Sequence, residues 1–169
     1  SIGISIIIVS YDTRDYLHKC IKSILNNISS SILYEIIVID NNSKDNTIEN
    51  ISENFPAIKI ITNRKNLGFS GAINQGLKKA KGKYIFLLNP DTELVEDSIG
   101  KLYSKLVDNK YQVIAPKLVD HKDTILKSCW RFPNLKTTIG SLLYLDSWFT
   151  YKNYSEKNWG QSFEVEWVS

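Results

Sequence analysis

The sequence has no methionine and only two cysteines among its 169 residues. Cys20 and Cys129 lie far apart and lack the short spacing of a zinc site. They therefore predict two reduced thiols and exclude a disulfide-rich secreted scaffold. Because methionine is missing even from position 1, we expect a processed or partial chain.

Long apolar runs and a strong charge of one sign are also missing. No run approaches the ~18 residues that cross a bilayer, and no basic-then-apolar segment opens the chain. We therefore expect a cytoplasmic protein. The net charge is only +3 and the lysines are spread out, which argues against a nucleic-acid partner. This mild positive charge still allows peripheral contact with the inner face of a membrane.

Two common phosphate-binding motifs are absent as well. No Gly-x-Gly-x-x-Gly follows the first predicted strand, which argues against a nicotinamide- or flavin-binding domain. No Gly-x-x-x-x-Gly-Lys-Ser/Thr occurs, which argues against a P-loop NTPase. A bound phosphate group would need another source of positive charge, such as a metal ion.

What the sequence does contain is a regular alternation of apolar strands and amphipathic helices. Predicted strands cover residues 4–10, 35–40, 58–62 and 84–89. Predicted helices cover residues 14–28, a stretch from Ser43 or Asp45 to about 54, a stretch after a 66–71 loop to about 80, and residues 94–107. This order predicts an α/β fold with a doubly wound, mostly parallel sheet and right-handed crossovers. The run at 84–89 predicts a strand buried on both faces.

After residue 110 the pattern changes to short strands. Residues 113–115 and 125–130 predict strands, and residues 120–123 predict a turn between them. The chain is long enough for one domain, or for one domain and part of another.

Polar residues follow three of the predicted parallel strands. The strand ends carry Val9 to Asp12, Asp40 to Ser43, and Asn89 to Asp91. In open α/β sheets, ligands bind beyond the carboxyl ends of the strands, at the point where the strand order reverses. The three segments together predict a nucleotide and metal site at one edge of the sheet.

Asp91 is the candidate metal ligand. Pro90 stops the preceding strand and places this carboxylate on a stiff turn. Mg²⁺ often uses one or two carboxylates together with phosphate oxygens, so a single aspartate beside a diphosphate is sufficient. The alternative is that Asp91 or Thr92 caps the next helix.

These segments together resemble a family 2 glycosyltransferase with a GT-A (Rossmann-like) fold, of the rhamnosyltransferase-like branch. The matching motifs are Ser5–Tyr11, Glu35–Ser43, Asn66–Ala72, Asn74–Gly76 and Leu87–Thr92, with weaker matches at Ala115–Leu118 and Arg131–Pro133. The resemblance implies that residues 1–110 form the half that binds a nucleotide-sugar donor. Residues 111–169 would begin an acceptor-side half, as an incomplete part with a mixed sheet.

The resemblance also implies roles for individual residues. Asp40 would accept a hydrogen bond from the ring N–H of uracil or thymine, and a loop from Asn66 to Asn74 would close over the nucleotide and sugar. Asp91 would hold Mn²⁺ or Mg²⁺ against the donor diphosphate. The nucleotide-binding set would be Val9, Ser10, Tyr11, Asp40, Asn42, Asn66, Gly68, Gly71, Asn74 and Asn89. Each has a structural alternative: Tyr11 could cap the sheet edge, Asp40 could cap nearby amides, and the glycines could serve a tight turn.

Two positions depart from the family pattern. Asp12 stands where most of this branch has Asn, and a second carboxylate beside a diphosphate is unfavourable unless it points away or binds a cation. Asp45-Asn46 replaces the usual Asp-Gly, and Asn tolerates a positive φ, so we expect that turn to be kept.

The implied reaction is inverting transfer from a UDP- or dTDP-sugar to a saccharide or lipid-linked acceptor, in the synthesis of a cell-surface polysaccharide. A carboxylate would remove the proton of the acceptor hydroxyl. We find no convincing counterpart of that base and expect it beyond Ser169. Aromatic residues of the last third could meet the acceptor or be core: Trp130, Tyr144, Trp148 and Trp159.

Two other functions stay open on the sequence alone. One is a donor-binding module without catalytic activity, because the base is missing. The other is a sugar nucleotidyltransferase, although Ser10-Tyr11-Asp12-Thr13 is not the glycine-rich basic loop of that class. Neither the donor sugar nor the oligomeric state follows from the sequence.

Overall fold

The computed structural model of the chain describes residues 2–108, 111–126, 128–130 and 167–168. The chain divides into two compact units, Ser1–Lys110 and Tyr111–Ser169. The first unit contains all the long helices and strands of the described residues.

The first unit is a four-stranded parallel sheet with helices on both faces. Its strands are β1 (Ile4–Ser10), β2 (Tyr34–Asp40), β3 (Lys59–Thr62) and β4 (Tyr84–Leu88), and its helices are α1 (Arg14–Asn27), α2 (Thr47–Asn54), α3 (Gly68–Lys79) and α4 (Ser98–Asp108). The strand order is β3-β2-β1-β4, and every neighbouring pair is parallel. The predicted α/β fold with a doubly wound sheet is therefore confirmed.

The core lies on both sides of β1. On one face, Ile6 and Ile8 share a cluster with Ile21 of α1 and Ile99 of α4. On the other face, Ile7 packs with α3. Side chains of a strand alternate between the two faces, so a strand that is covered on both must be apolar throughout. This explains the uninterrupted Ile-Ile-Ile-Val run of β1.

β4 departs from the prediction that it is buried on both faces. Ile85 is 39% exposed and Leu87 is 49% exposed, whereas Phe86 and Leu88 pack against the core. β4 is the edge strand of the described sheet, and α3 contacts β1 and β2 instead. An apolar run cannot show which of its faces has a neighbour, so the sequence pattern was misleading here.

α4 begins later than the predicted residue 94. Both backbone groups of Leu94 bond to side chains of α1, which keeps Leu94 out of a helix. Asp97 caps the helix instead, because its Oδ1 accepts the N–H of Gly100 at 2.9 Å.

The second unit contains short antiparallel strands. β5 (Leu118–Val119) pairs with β6 (Ile125–Leu126), and β7 (Cys129–Trp130) pairs with β8 (Trp167–Val168). The turn between β5 and β6 is as predicted, with Asp120 Oδ1 accepting the N–H groups of Lys122 and Thr124. The predicted strand at 113–115 is wrong, because these residues are irregular.

Some sequence predictions lie outside the described residues. They include the Arg131–Pro133 motif and the side chains of Cys129, Trp130, Tyr144, Trp148 and Trp159. Among the described helices, none is long and apolar enough to cross a membrane.

Candidate nucleotide-binding site

The three polar strand ends lie at the same edge of the sheet. Ser10 at the end of β1 is in register with Asp40 at the end of β2, and β4 lies on the other side of β1. Along the chain, β2 and β3 are added on one side of β1 and β4 is added on the other, so the strand order reverses between β1 and β4. Such a switch point is where open α/β sheets bind ligands.

Asp40 is a buried carboxylate with one oxygen unused. Its Oδ2 accepts the backbone N–H groups of Asn42 and Ser43, each at 3.0 Å. Its Oδ1 is shielded from solvent and has no hydrogen-bond partner among the described residues. A buried unpaired acceptor costs free energy. The predicted amide capping by Asp40 therefore occurs, but it uses only half of the carboxylate.

Asn41 organises the neighbouring loops and was missed by the sequence reasoning. It is 2% exposed, and its Nδ2 donates to the carbonyl of Gly68 at 3.3 Å. Its Oδ1 accepts the Nδ2 of Asn63 at 3.0 Å, and Asn63 in turn exchanges two hydrogen bonds with Gln75. No sequence pattern links these distant amides, so only the folded chain reveals them.

Asp12 connects the loops that follow β1 and β2. Its backbone is in the left-handed region, with a φ of 52°. Its Oδ1 accepts the N–H of Lys44 at 2.6 Å, and its own N–H donates to Ser43 Oγ at 2.9 Å. The carboxylate is therefore held by the protein backbone. An Asn at this position could make the same contacts in the same conformation.

Asp45 joins the first turns of two helices. Its Oδ2 accepts the N–H of Arg14 in α1, and its Oδ1 accepts both the N–H and the hydroxyl of Thr47 in α2. Burial alone would raise the pKa of Asp45, but the hydrogen bonds from Thr47 and Arg14 outweigh it and lower the pKa. Asn46 follows with a φ of 60°, so the predicted turn is kept.

The predicted base-pocket residues differ in exposure. Tyr11 is 50% exposed, whereas Val9 packs in the core beside α3 and Ser10 bonds to the hydroxyl of Thr13 at 2.7 Å. Asn42 has a φ of 73° and accepts a hydrogen bond from Lys44 Nζ. Tyr11 therefore presents the largest open surface of this group.

The loop predicted from Asn66 to Asn74 is mostly helix. α3 begins at Gly68, so Gly71 and the exposed Asn74 lie within it. Asn66 Oδ1 accepts the N–H of Gly68 at 2.8 Å, and Gly68 has a φ of 72°, which favours glycine. The prediction of an extended loop is wrong because the chain becomes helical as soon as this turn is complete.

The Asn89–Thr92 turn carries Asp91 at the switch point. The hydroxyl and the N–H of Thr92 both donate to the carbonyl of Asn89, at 2.7 and 3.3 Å. Asp97 caps α4, so the alternative that Asp91 or Thr92 caps it is wrong. Asn89 and Asp91 are exposed at the end of β4.

Cys20 of α1 lies against the same turn. It is fully buried and free, and its Sγ donates to the carbonyl of Asn89 at 3.7 Å. Burial, reinforced by the nearby carboxylates of Asp91 and Glu93, raises the pKa of Cys20 to about 12. The thiol therefore stays neutral at physiological pH.

Asp91 is the candidate metal ligand at this edge of the sheet. The described residues contain no group of three or more His, Cys, Asp or Glu side chains that could hold a metal ion. Asp91 supplies one exposed carboxylate. This fits a hard cation that takes its remaining ligands from water and phosphate oxygens.

A comparison with models of protein families matches residues 5–163 to Glycosyl transferase family 2. Among curated proteins, the chain is 31% identical over 140 residues to the poly(ribitol-phosphate) β-N-acetylglucosaminyltransferase TarP of Staphylococcus aureus (strain N315), covering 74% of this chain and 43% of TarP. It is 30% identical over 128 residues to the GalNAc(5)-diNAcBac-PP-undecaprenol β-1,3-glucosyltransferase of Campylobacter jejuni (serotype O:2), covering 73% of this chain and 41% of that enzyme. The chain thus spans less than half of either relative.

Solved structures share the fold. S. aureus TarS 1–349 in complex with UDP-GlcNAc matches with a TM-score of 0.56 and 21% identity, over 63% of this chain and 31% of that one. The mannosyltransferase PcManGT of Pyrobaculum calidifontis, in complex with GDP-Man and Mn²⁺, matches with a TM-score of 0.54 and 18% identity, over 61% of this chain and 31% of that one. At these identities the likeness establishes the GT-A fold alone.

Proposed function

This chain belongs to Glycosyl transferase family 2, and from that premise we propose that it transfers a sugar from a UDP- or dTDP-sugar to a saccharide or lipid-linked acceptor. The transfer inverts the anomeric centre and serves the synthesis of a cell-surface polysaccharide. Relatives named for poly(ribitol-phosphate) and undecaprenol-linked acceptors support this, as does a structural neighbour that binds UDP-GlcNAc. Such an enzyme would take its donor from the cytoplasm and meet its acceptor at the inner face of the membrane.

The unused oxygen of Asp40 is the observation that carries the proposal. Uracil and thymine present a ring N–H, and donation to Oδ1 would remove the cost of the unpaired acceptor. Because this oxygen is shielded from solvent in this structure, a base would reach it only after neighbouring atoms move outward. Tyr11 lies one residue beyond the adjacent strand and offers an exposed ring for stacking on the base.

Asp91 is proposed as the residue that holds Mn²⁺ or Mg²⁺, with Asn89 beside it. A metal ion bound there would neutralise the charge that develops on the leaving nucleotide diphosphate. The protein contributes a fixed turn and an exposed carboxylate at the point where the diphosphate would lie, next to the base-binding edge.

The acceptor hydroxyl is proposed to attack the anomeric carbon directly while a carboxylate removes its proton. Among the described residues we assign no such base. Asp120 is a poor candidate, because both of its hydrogen bonds from Lys122 and Thr124 stabilise an exposed hairpin turn. Those bonds lower its pKa, which makes it a weaker base. The rhamnosyltransferase-like branch stays a prediction.

The role of Asp40 is tested by exchanging its free oxygen for an amide. In Asp40→Asn, the amide oxygen can keep the bonds to Asn42 and Ser43, and the NH₂ group takes the place of Oδ1. Cytosine carries an acceptor at the ring position where uracil carries N–H. We therefore expect the wild type to bind UDP more tightly than CDP. In the variant, the ratio of the CDP to the UDP dissociation constant should fall at least tenfold, which is about 1.4 kcal/mol.

Calorimetric titration with UDP, dTDP, GDP and CDP, with and without Mn²⁺, measures this. Asp12→Asn is the matched control, since it makes the same chemical change at the same edge of the sheet and should leave the base preference unaltered. An unchanged preference in Asp40→Asn would remove Asp40 from base recognition. Wild-type protein that binds none of the nucleotides would contradict the proposed function itself.

A further inference from the structure

Three polar or sulfur-containing side chains form a stripe along α1. Cys20, Ser23 and Asn27 are spaced i, i+3 and i+7, which places them on one face of the helix. Cys20 is fully buried and Ser23 is 9% exposed. A polar stripe on the packed face of a helix is costly unless each group finds a partner. We call these three residues the α1 stripe.

Outside α1 itself, the partners of the α1 stripe lie in one segment, Asn89–Leu94. Cys20 Sγ donates to the carbonyl of Asn89 at 3.7 Å. Ser23 Oγ accepts the N–H of Leu94 at 2.9 Å, and Asn27 Nδ2 donates to the carbonyl of Leu94 at 2.9 Å. The stripe therefore holds both ends of the segment, and Asp91 lies between these two points.

Two side chains of the α1 stripe, Ser23 and Asn27, bond both to their own helix and to the Asn89–Leu94 segment. The hydroxyl of Ser23 donates to the carbonyl of Cys20 at 2.7 Å, which leaves its lone pairs free to accept from Leu94. Asn27 Nδ2 uses one proton on the carbonyl of Ser23 and the other on that of Leu94. Ser23 and Asn27 are thus held both by their own helix and by the segment.

We propose that the α1 stripe positions the Asp91 turn for the metal–diphosphate group, without touching it. This inference rests on the proposed function of Asp91. The stripe residues are positioning residues, comparable to the outer groups that orient the ligands of metal sites, whose removal typically lowers metal affinity 10–100-fold.

The experiment compares two double variants. Ser23→Ala/Asn27→Ala removes both bonds to Leu94. Ser52→Ala/Asn54→Ala is the matched control on α2, where Ser52 and Asn54 make the same side chain-to-carbonyl bonds within their helix. Titration with UDP, with and without Mn²⁺, gives the metal-dependent gain in affinity. In the stripe variant, we expect the factor by which Mn²⁺ raises the affinity for UDP to be at least tenfold smaller than in the wild type. The metal-free affinity for UDP should stay unchanged, and the control should match the wild type.

Two further measurements separate positioning from general destabilisation. The single variant Ser23→Thr keeps the hydroxyl and leaves Asn27 unchanged. It should therefore show the same metal-dependent gain in UDP affinity as the wild type. The N–H groups of Thr92 and Leu94 are hydrogen-bonded in the fold, and without any nucleotide their exchange should be at least tenfold faster in the stripe variant than in the control.

The outcomes are distinct. A normal metal-dependent gain, or normal exchange in the segment, would overturn the positioning role and leave the proposed function intact. An equal loss of metal-free and metal-dependent affinity would overturn it as well, since that pattern reports global destabilisation. Wild-type protein that binds UDP and dTDP without any effect of Mn²⁺ would overturn the proposed metal role of Asp91, and wild-type protein that binds neither nucleotide would overturn the proposed function.

Discussion

Individual aspartates at this sheet edge have similar sequence surroundings but different tasks. Asp45 accepts hydrogen bonds on both oxygens, Asp12 accepts one on Oδ1, and both residues fix loops. Asp40 is half satisfied, and Asp91 is exposed on a turn that does not cap a helix. The hydrogen bonds of Asp12 and Asp45 join separate segments, which makes these two residues structural. The candidates for a ligand are the buried free oxygen of Asp40 and the exposed carboxylate of Asp91.

Asp91→Ala should abolish the Mn²⁺-dependent part of UDP binding. The reason is that Asp91 is the proposed ligand, and the described residues contain no group of three or more His, Cys, Asp or Glu side chains that could hold the ion in its place. Glu93→Ala is the matched control, because it removes the same charge two residues away and should retain most of the gain. Titration of each variant with UDP at several Mn²⁺ concentrations measures this. If the two variants behave alike, the effect is one of net charge and Asp91 is not the ligand.

At the scale of helices and strands, the hydrogen bonds that connect loops and helix ends determine where the site forms. The first turns of α1 and α2 both bond to Asp45, and the loop from Asn63 to Gly68 is bonded to Asn41. These hydrogen bonds between distant segments explain why the ends of the helices and strands were harder to predict from the sequence than the helices and strands themselves. The 94–97 stretch is non-helical because α1 binds Leu94, which no local propensity in that stretch reveals.

Asp45→Ala should lower the free energy of unfolding by about 1–2 kcal/mol, since two helix N-termini lose a charged acceptor. The pKa of Asp45 is lowered in the fold, below the ordinary value of 3.8. The ionised carboxylate of Asp45 therefore makes its full contribution to the free energy of unfolding well above pH 3.8. This contribution is lost as the pH falls through the pKa of Asp45 in the folded state. The difference between wild type and variant should shrink accordingly.

Urea unfolding at pH 7 and at pH 3 measures this difference. Asp15→Ala serves as the control, because Asp15 is an exposed acid whose partner is the neighbouring Arg14 side chain. A difference that stays constant between the two pH values would show that the charge of Asp45 contributes nothing to stability.

At the scale of the whole molecule, the sheet is covered unequally. β1 and β2 are buried on both faces, while the Ile85–Leu87 face of β4 is open in the described part of the chain. α3 lies close to the sheet because Gly76 has no side chain: a Cβ there would be 2.7 Å from Ile7 Cγ2 and 2.9 Å from Ile39 Cδ1.

Gly76→Ala should therefore destabilise the fold by about 1–3 kcal/mol, because the added methyl group overpacks a fully buried layer. Gly71→Ala on the same helix is the matched control. Its Cβ would meet only Cβ of the partly exposed Leu67, at 3.1 Å, and the substitution gains helix propensity, so it should cost less than Gly76→Ala. Thermal or urea unfolding of both variants provides the comparison. Equal stabilities would mean that α3 can move away from the sheet at little cost.

The sequence by itself determined the alternation of strands and helices, the sheet edge at which Ser10, Asp40 and Asn89 meet, and the left-handed turn at Asn46. These features depend on residues that are close in the chain, through side-chain periodicity, backbone sterics and strand direction. Tertiary structure alone decided the exposure of β4, the hub at Asn41, the start of α4 and the free oxygen of Asp40. Each of these depends on a partner from a distant segment, and burial and hydrogen-bond satisfaction are determined only once that partner is in place.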